Sequence, residues 1–357
     1  MNKILTIIIP TYNMEKYLRR CLDSLIIDEE GMKQLEVLVI NDGSKDSSSQ
    51  IAHEYQDKYP DTYRVIDKEN GNYGSCINRG LKETTGKYVK VLDADDWFDN
   101  KSLMLFLSKI SLDDVDLILS NCIIKNDDKV VGGFNLSHFK EGVLLCWDDI
   151  SKYATSFQMH CVCYKTQMIR NINYVQSEGI SYTDQQWVCL PMSTVKTVKY
   201  YGLPLYNYVV GREGQTMDIK VHNNKFKEEI KMVEQMLKWA VQSPNEQCNN
   251  EYIKDKVISF VLYQYINHMI DGVYDNTEFR NYANQLNEKH SWVYQKLRTV
   301  KLHPFINYLF IRRYHEDTVE HVPQRIKLSY LFIKRYVSPI IKSMRNVKSH
   351  YLKIKTY

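Results

Sequence analysis

The chain has 357 residues, 44% hydrophobic and 25% charged, with only 14 Gly and 8 Pro, a balance that excludes a disordered or repeat-array protein. Its net charge of +4 is unevenly spread: nine of the 47 Lys and Arg residues fall in 325–357, which has no acidic residue, so the preceding 324 residues carry a net −5. No nucleic-acid-binding motif accompanies that basic tail, so no nucleic-acid partner is expected. The eight cysteines form no CxxC pair, have no His at zinc spacing and mostly sit in apolar runs. They read as buried free thiols of a reducing compartment, the cytoplasm. The apolar run Ile4–Ile9 ends in Pro-Thr-Tyr-Asn without a small-residue cleavage site, and no run reaches the ~18 apolar residues of a membrane span. The expectation is a protein neither secreted nor transmembrane.

In chain order, "KILTIII" predicts a buried strand and "EKYLRRCLDSLI" a helix, with Tyr17, Leu18, Cys21, Leu22 and Leu25 on one face. "LEVLVI" is the second strand, succeeded by the loop "NDGSKDSS" and a helix opening near Ser47. "YRVID" and "GKYVKVLD" continue the series around a helix at Gly74–Thr84, and "DLILSNCII" is a further strand. Such alternation implies an α/β fold, a mostly parallel sheet flanked by helices, with ligands bound beyond the carboxyl ends of the strands. Each of those ends leads into a polar segment: Pro10-Thr11-Tyr12-Asn13, Asn41-Asp42-Gly43-Ser44, Asp67-Lys68-Glu69-Asn70 and Asp93-Ala94-Asp95-Asp96. Residues 126–220 are less regular. From about Asn223 long helical patterns take over, which sets the expected boundary near 220: a catalytic domain over 1–220, divided near 125, and a mainly helical C-terminal region over 221–357 with the basic tail.

"LDADDW" packs three aspartates behind an apolar strand, a costly arrangement unless a cation neutralises it. Asp93 and Asp95 at a strand end suit a hard divalent ion, Mn²⁺ or Mg²⁺, which takes one or two carboxylates and keeps positions for phosphate oxygens. Asp96, just before "WFDNKSLMLFL", reads instead as a helix N-cap.

"TIIIPTYN", "VLVINDGSKDSS", "ENGNYGSCINRGL", "GKYVKVLDADDW" and "SYTDQQW" occur in the order and spacing of the family 2 glycosyltransferases with the GT-A, Rossmann-like fold, and the resemblance covers roughly residues 3–217. It implies a bacterial surface-polysaccharide enzyme that takes a nucleotide-sugar donor, commonly a UDP-sugar, and inverts at the anomeric carbon. Position by position, Pro10 and Tyr12 resemble the turn bordering base and ribose, and Asp42 the carboxylate that accepts from the uracil imide N–H. Asn70, Gly74 and Asn78 fall in the segment flanking the nucleotide. Where the family often has Ala-Arg-Asn, this chain has Cys76-Ile77-Asn78-Arg79. Asp93 and Asp95 resemble the Asp-X-Asp pair, Asp93 near ribose and metal and Asp95 the direct metal ligand. Asp184 stands where the family places its base, with Thr183 in place of the usual Glu. Its other reading is a helix N-cap.

In "VVGREGQTMD", Arg212 is a candidate clamp for the diphosphate, with Gln215 or Thr216 adding a hydrogen bond, although Gly-Arg-Glu-Gly is also ordinary turn chemistry. His222 is a further candidate metal or phosphate contact. The implied acceptor is a saccharide or lipid-linked saccharide. The tail interleaves Leu, Tyr, Phe and Ile with Lys and Arg, which suits either the anionic inner face of the cell membrane or packing on the protein itself. A sugar-nucleotidyltransferase would need a Gly-rich, basic phosphate loop after the first strand, which "IPTYNMEKY" lacks. The remaining alternative is a catalytically inactive nucleotide-sugar-binding or scaffold protein of the same fold.

Overall fold

The computed structural model describes residues 3–126, 128–181, 183–211, 226–241, 249–266 and 276–299. The expected boundary at 220, the residues Arg212, Gln215, Thr216 and His222, and the basic tail lie outside them. The described residues fall into two compact units, Met1–Phe260 and Val261–Tyr357.

The first unit is built on one sheet. Strands β1 (Leu5–Thr11), β2 (Leu35–Asn41), β3 (Tyr63–Asp67) and β4 (Tyr88–Val91) run parallel in the order β3-β2-β1-β4. All seven residues of β2 are buried, which is why it reads as a continuous apolar run rather than an alternating one. Its one carboxylate, Glu36, accepts local hydrogen bonds from Thr6 Oγ1 (2.6 Å) and Thr85 N (2.8 Å). Beyond β4 the sheet turns mixed. Strand β9 (Val162–Lys165) is antiparallel to β4 and to β6 (Leu117–Asn126), and β6 runs parallel to the long β10 (Thr197–Val209). The short β5 (Trp97–Phe98) and β8 (Leu145–Cys146) pair with β10, and β7 (Lys129–Phe134) with β6.

Helices α1 (Glu15–Asp23), α2 (Glu29–Gln34), α3 (Ser48–Lys58), α4 (Asn72–Glu83) and α5 (Asn100–Ser111) link the strands of the first half. On α1, Leu18, Cys21 and Leu22 are buried at the predicted helical spacing. Asp96 does not cap α5, contrary to the sequence reading. The cap is Asp99, whose carboxylate accepts from Ser102 N at 2.8 Å, because β5 intervenes and delays the helix by three residues. The second half adds α6 (Trp147–Ala154), the 3₁₀ turn Met159–Cys161, α7 (Thr166–Asn171), α8 (Asp184–Trp187) and α9 (Leu190–Ser193).

Helices α10 (Phe226–Val241) and the first part of α11 (Asn250–Ile266) pack on the 174–190 segment. Trp239 lies against Tyr174, Gln186 Nε2 donates to Met232 O (3.3 Å), and the Tyr252 hydroxyl donates to Val188 O. In the second unit, α12 (Asn276–Lys289) inserts Phe279 edge-on against Tyr265 at 4.9 Å, and Tyr282 donates to Gln264 Oε1 at 2.8 Å; α13 (Ser291–Thr299) comes next. Of the cysteines, seven are described; all are free and only Cys146 is exposed. Among the described residues no helix is long and apolar enough to cross a membrane.

Candidate active site

The register lines up Thr11 with Asn41 and Asn41 with Asp67, so β1, β2 and β3 end level and their loops leave from one edge. These loops are laced together. Asp42 N donates to Thr11 O (2.8 Å), Asn13 N to Ser44 Oγ (3.1 Å) and Lys45 N to Asn13 Oδ1 (2.8 Å). Gly43, at φ +73°, makes the turn that an L side chain would strain. Asp42 is only 2% exposed. Its Oδ1 accepts from Lys68 Nζ and from Gly71 N (2.9 Å), and Asn70 Nδ2 donates to its carbonyl (2.9 Å). Lys68 reaches on to Ser75 Oγ at 2.9 Å. Tyr12, in the loop after β1, is 45% exposed, while Pro10 remains in β1 opposite Ile40. Pro10, Tyr12, Asp42 and Asn70 are thus gathered at one strand edge.

The aspartate turn comes after β4 on the same edge. Asp93 Oδ1 accepts from the Tyr73 hydroxyl (2.9 Å), and Asp93 N donates to the Tyr206 oxygen (3.1 Å). Asp96, 1% exposed, accepts from Tyr206 (2.8 Å) and from Val209 N (2.8 Å), which ties the turn to β10. Burial, reinforced by the charges of Asp95 and Asp93, pushes the Asp96 carboxyl well above the usual carboxylate range. Asp95 is buried, and its carbonyl accepts from Arg20 Nη2 at 3.1 Å; that guanidinium also stacks 3.9 Å over Trp97. Among the described residues, Asp93, Asp96 and His160 form a group whose potential ligand atoms all lie within 4.8 Å of one another. Burial and, behind it, the Lys90 charge pull the His160 imidazole down to about 3, so it is neutral at physiological pH.

Asp184 begins α8. Its carboxyl is raised above the usual range by burial, opposed by the bond from Gln185 Nε2 (2.9 Å) and by the charge of Lys256. The N-cap alternative fails, because Asp184 is the first helical residue and Thr183 holds the cap position without a side-chain bond. Thr183 is fully buried and clamped from below: Gln176 Nε2 donates to its carbonyl (2.9 Å) and its Oγ1 (2.8 Å). Gln186 in turn bonds Ser177 through Ser177 N (2.8 Å) and Ser177 Oγ (2.9 Å).

Helix α4 joins the two sides. Tyr73 on its first turn holds Asp93, while Asn78 exchanges bonds with Gln176, donating to its carbonyl (2.9 Å) and accepting from its N–H (2.8 Å), and also donates to Glu178 Oε1 (2.7 Å). Asn78 therefore anchors the Asp184 segment. Gly74 lies so close to that segment that a Cβ would fall 1.9 Å from Ser177 O, so only glycine permits the approach. The Tyr73 hydroxyl is raised well above its ordinary value by burial and by Asp93, with a further contribution from Asp184. Tyr208, pushed up to about 12, feels burial first and then Asp96, Asp93, Asp95 and Asp184 together. Asp184 and the aspartate turn therefore share one electrostatic neighbourhood. Arg79 is elsewhere, paired with Glu83 at 3.0 Å on an exposed face. Tyr73, His160, Gln176, Tyr206 and Tyr208 are additions that the sequence did not mark. Each sits in an ordinary apolar or mixed run, and only the packing brings it to the site.

The level strand ends, the acidic turn after β4 and the helix-borne carboxylate opposite define the class of a GT-A domain. Residues 6–172, a little under half of the chain, match glycosyl transferase family 2. GlyA, a glycosyltransferase of Streptococcus pneumoniae, is 29% identical over 183 residues, which is 50% of this chain and 24% of GlyA. GgaB, a minor teichoic acid biosynthesis protein of Bacillus subtilis, is 28% identical over 214 residues, 59% of this chain and 23% of GgaB. The matched stretch thus takes up about a quarter of either relative. In fold, the chain resembles residues 1–349 of S. aureus TarS, solved in complex with UDP-GlcNAc, with a TM-score of 0.64 at 22% identity over 80% of each chain.

Proposed function

We propose that the domain is a metal-dependent inverting glycosyltransferase that moves a sugar from a UDP-sugar to a saccharide or lipid-linked saccharide in bacterial surface-polysaccharide synthesis. The observation that carries this reading is that a carboxylate turn and a separate buried carboxyl, Asp184, act on the same two tyrosines, Tyr73 and Tyr208. Tyr12 borders the base, Asp42 accepts from the imide N–H, and Asn70 fixes the Asp42 backbone. Asp184 takes the proton of the acceptor hydroxyl as that oxygen bonds to the anomeric carbon. The bond from the anomeric carbon to the diphosphate oxygen breaks on the opposite face, and its electron pair leaves with the diphosphate. A divalent ion at Asp93 and Asp95 would neutralise that leaving group. The acidic turn fits such an ion by donor chemistry, since Asp93 and Asp96 bring carboxylate oxygens within 4.8 Å of one another and of a His160 nitrogen. Arg212 and Gln215 are the proposed diphosphate clamp. TarS, bound to UDP-GlcNAc, supports the UDP-sugar assignment, and GgaB supports a cell-wall polymer as acceptor.

Calorimetric titration of UDP and GDP, each with and without Mn²⁺, on the wild type and Asp95→Asn tests this. Metal-dependent UDP binding that is lost in the variant is the expected result. Failure of both nucleotides to bind the wild type would overturn the reading in favour of an inactive scaffold.

A further inference from the structure

Lys256 is a buried cation to which the proposed transfer assigns no role. It lies on α11, outside residues 6–172, and is 5% exposed. Of the three donors of its ammonium, one has a hydrogen-bond partner among the described residues, Thr155 O at 3.1 Å, at the end of α6. A buried ammonium held by one neutral carbonyl is costly unless a negative charge stands near. The course of the helix says which one. Asn249 N, just ahead of α11, donates to Ser193 O (2.8 Å), and the Tyr252 hydroxyl on its first turn donates to Val188 O. The helix therefore runs back along 184–193, meeting earlier residues as it advances. Lys256 is four residues beyond Tyr252, on the same face one turn further, and Asp184 is four residues before Val188. Trp147 meets Tyr252 edge-on at 5.4 Å, which with Thr155 O fixes this face of α11 against α6. The charges agree with that register. Burial lowers the Lys256 ammonium, opposed by Cys189 and Asp184, and burial raises the Asp184 carboxyl, opposed by Gln185 and Lys256.

Of the other titratable groups around this pair, Tyr73 of α4, Tyr174 and Tyr208 of β10 are raised by burial, and burial pushes Cys189 up to about 12, so all four are neutral at physiological pH. The rest are negative: the acidic turn, which shares Tyr73 and Tyr208 with Asp184, and Glu228 of α10, which accepts from Ser181 N at 2.6 Å. Lys256 is the positive charge set against Asp184. Asp184 is half-buried and open to an approaching acceptor, whereas Lys256 is withdrawn from water, where salt screens it little.

We propose that Lys256 is the positioning cation of the base, a fixed counter-charge that aims the Asp184 carboxylate and keeps it ionised for the acceptor proton. The inference rests on the reading of Asp184 as base. On taking that proton from the acceptor hydroxyl, Asp184 becomes neutral and leaves the buried ammonium uncompensated. The same charge then favours release of the proton to water, which readies the base for another turnover. The active site thereby includes a residue of the helical C-terminal region.

The test is a ¹³C NMR titration of the full chain labelled in its aspartate carboxyls and lysine side chains, with Asp184→Asn, Lys256→Met and Lys256→Arg identifying the two resonances by their loss. In Lys256→Met the Asp184 midpoint should rise, its proton affinity increasing about tenfold or more, and Lys256→Arg should return it towards the wild-type value. In Asp184→Asn the Lys256 midpoint should fall, because the coupling of two sites is reciprocal. An Asp184 midpoint unmoved in a folded Lys256→Met overturns the proposal, and it is the result a purely structural lysine would give. Should Lys256→Met fail to fold, the lysine titration decides, and a Lys256 midpoint unmoved by Asp184→Asn overturns the proposal equally. Mutual shifts in a chain that binds no UDP, with or without Mn²⁺, overturn the base role on which the proposal rests and leave only an ion pair. UDP binding without mutual shifts overturns the positioning role and leaves Asp184 as the base.

Discussion

The two sides of the candidate site are built from different materials. On the side proposed for the nucleotide, Asp42 is compensated by a cation, Lys68, with side-chain exposures of 19% for Lys68 and 3% for Asp42. On the opposite side, the Asp184 segment is held by side-chain amides: Asn78 bonds the Gln176 backbone, Gln176 donates to Thr183, and Gln186 bonds Ser177. The difference has a chemical consequence. A recognition carboxylate gains from staying ionised and fixed, which a charge-assisted bond provides. A base gains from a proton affinity nearer the working pH; burial raises that of Asp184, the proposed base, against the opposing charge of Lys256. Thr183, where the family's usual residue is Glu, belongs to this second design: it removes a carboxylate and receives Gln176 instead. Burial alone then raises Asp184.

Breaking the base wall at its centre should have the largest effect. Asp184→Asn is expected to lower kcat by about 10²–10⁴-fold while calorimetric UDP affinity is unchanged. Loss of UDP binding in this variant would instead make Asp184 part of the donor site. The nucleotide wall should fail differently. Lys68→Met leaves a buried Asp42 without its cation, at an expected cost of about 3 kcal/mol in chemical denaturation, and weakens UDP binding more than it lowers kcat. Gln176→Leu removes the amide that donates to Thr183 Oγ1 and that shares Thr183 O with Gln186 N, for about 1–3 kcal/mol of stability. If Gln176 positions the base, this change should lower kcat more than it raises KM for donor, a split that a purely structural residue would not produce.

The pH profile sharpens the contrast. Asp184, the proposed base, is raised by burial, so at low pH it would hold its proton and accept none from the acceptor. Activity should rise with pH through a midpoint above the ordinary carboxylate range, and that limb should vanish from the residual activity of Asp184→Asn. The same shift bears on stability with the opposite sign. The folded state holds this proton more tightly than the unfolded chain, so the contribution of Asp184 is full below the unfolded value and is lost as pH rises through the folded one. Arg79→Ala should do least. Its exposed pair with Glu83 contributes within about 0.5 kcal/mol, and UDP titration of the variant should match the wild type.

The amino-acid sequence by itself determined the strand series, the level polar loops at their ends and the carboxylates Asp42, Asp93, Asp95 and Asp184, because hydrophobic period and turn chemistry are local properties of the chain. It could not tell which aspartate caps a helix. Asp96 and Asp99 are equally plausible by composition, and only the pairing of Trp97–Phe98 with β10 decided that Asp99 caps while Asp96 is drawn inside to Tyr206 and Val209. Nor could it see that Asn78 anchors Gln176 across 98 residues of chain, or that Gly74 is required by Ser177. Tyr73, His160 and Gln176 are ordinary members of their runs until α4, the Met159–Cys161 turn and the 174–187 segment meet. Their roles are set by contacts between elements distant in sequence, and such contacts leave no periodic trace in any one of them.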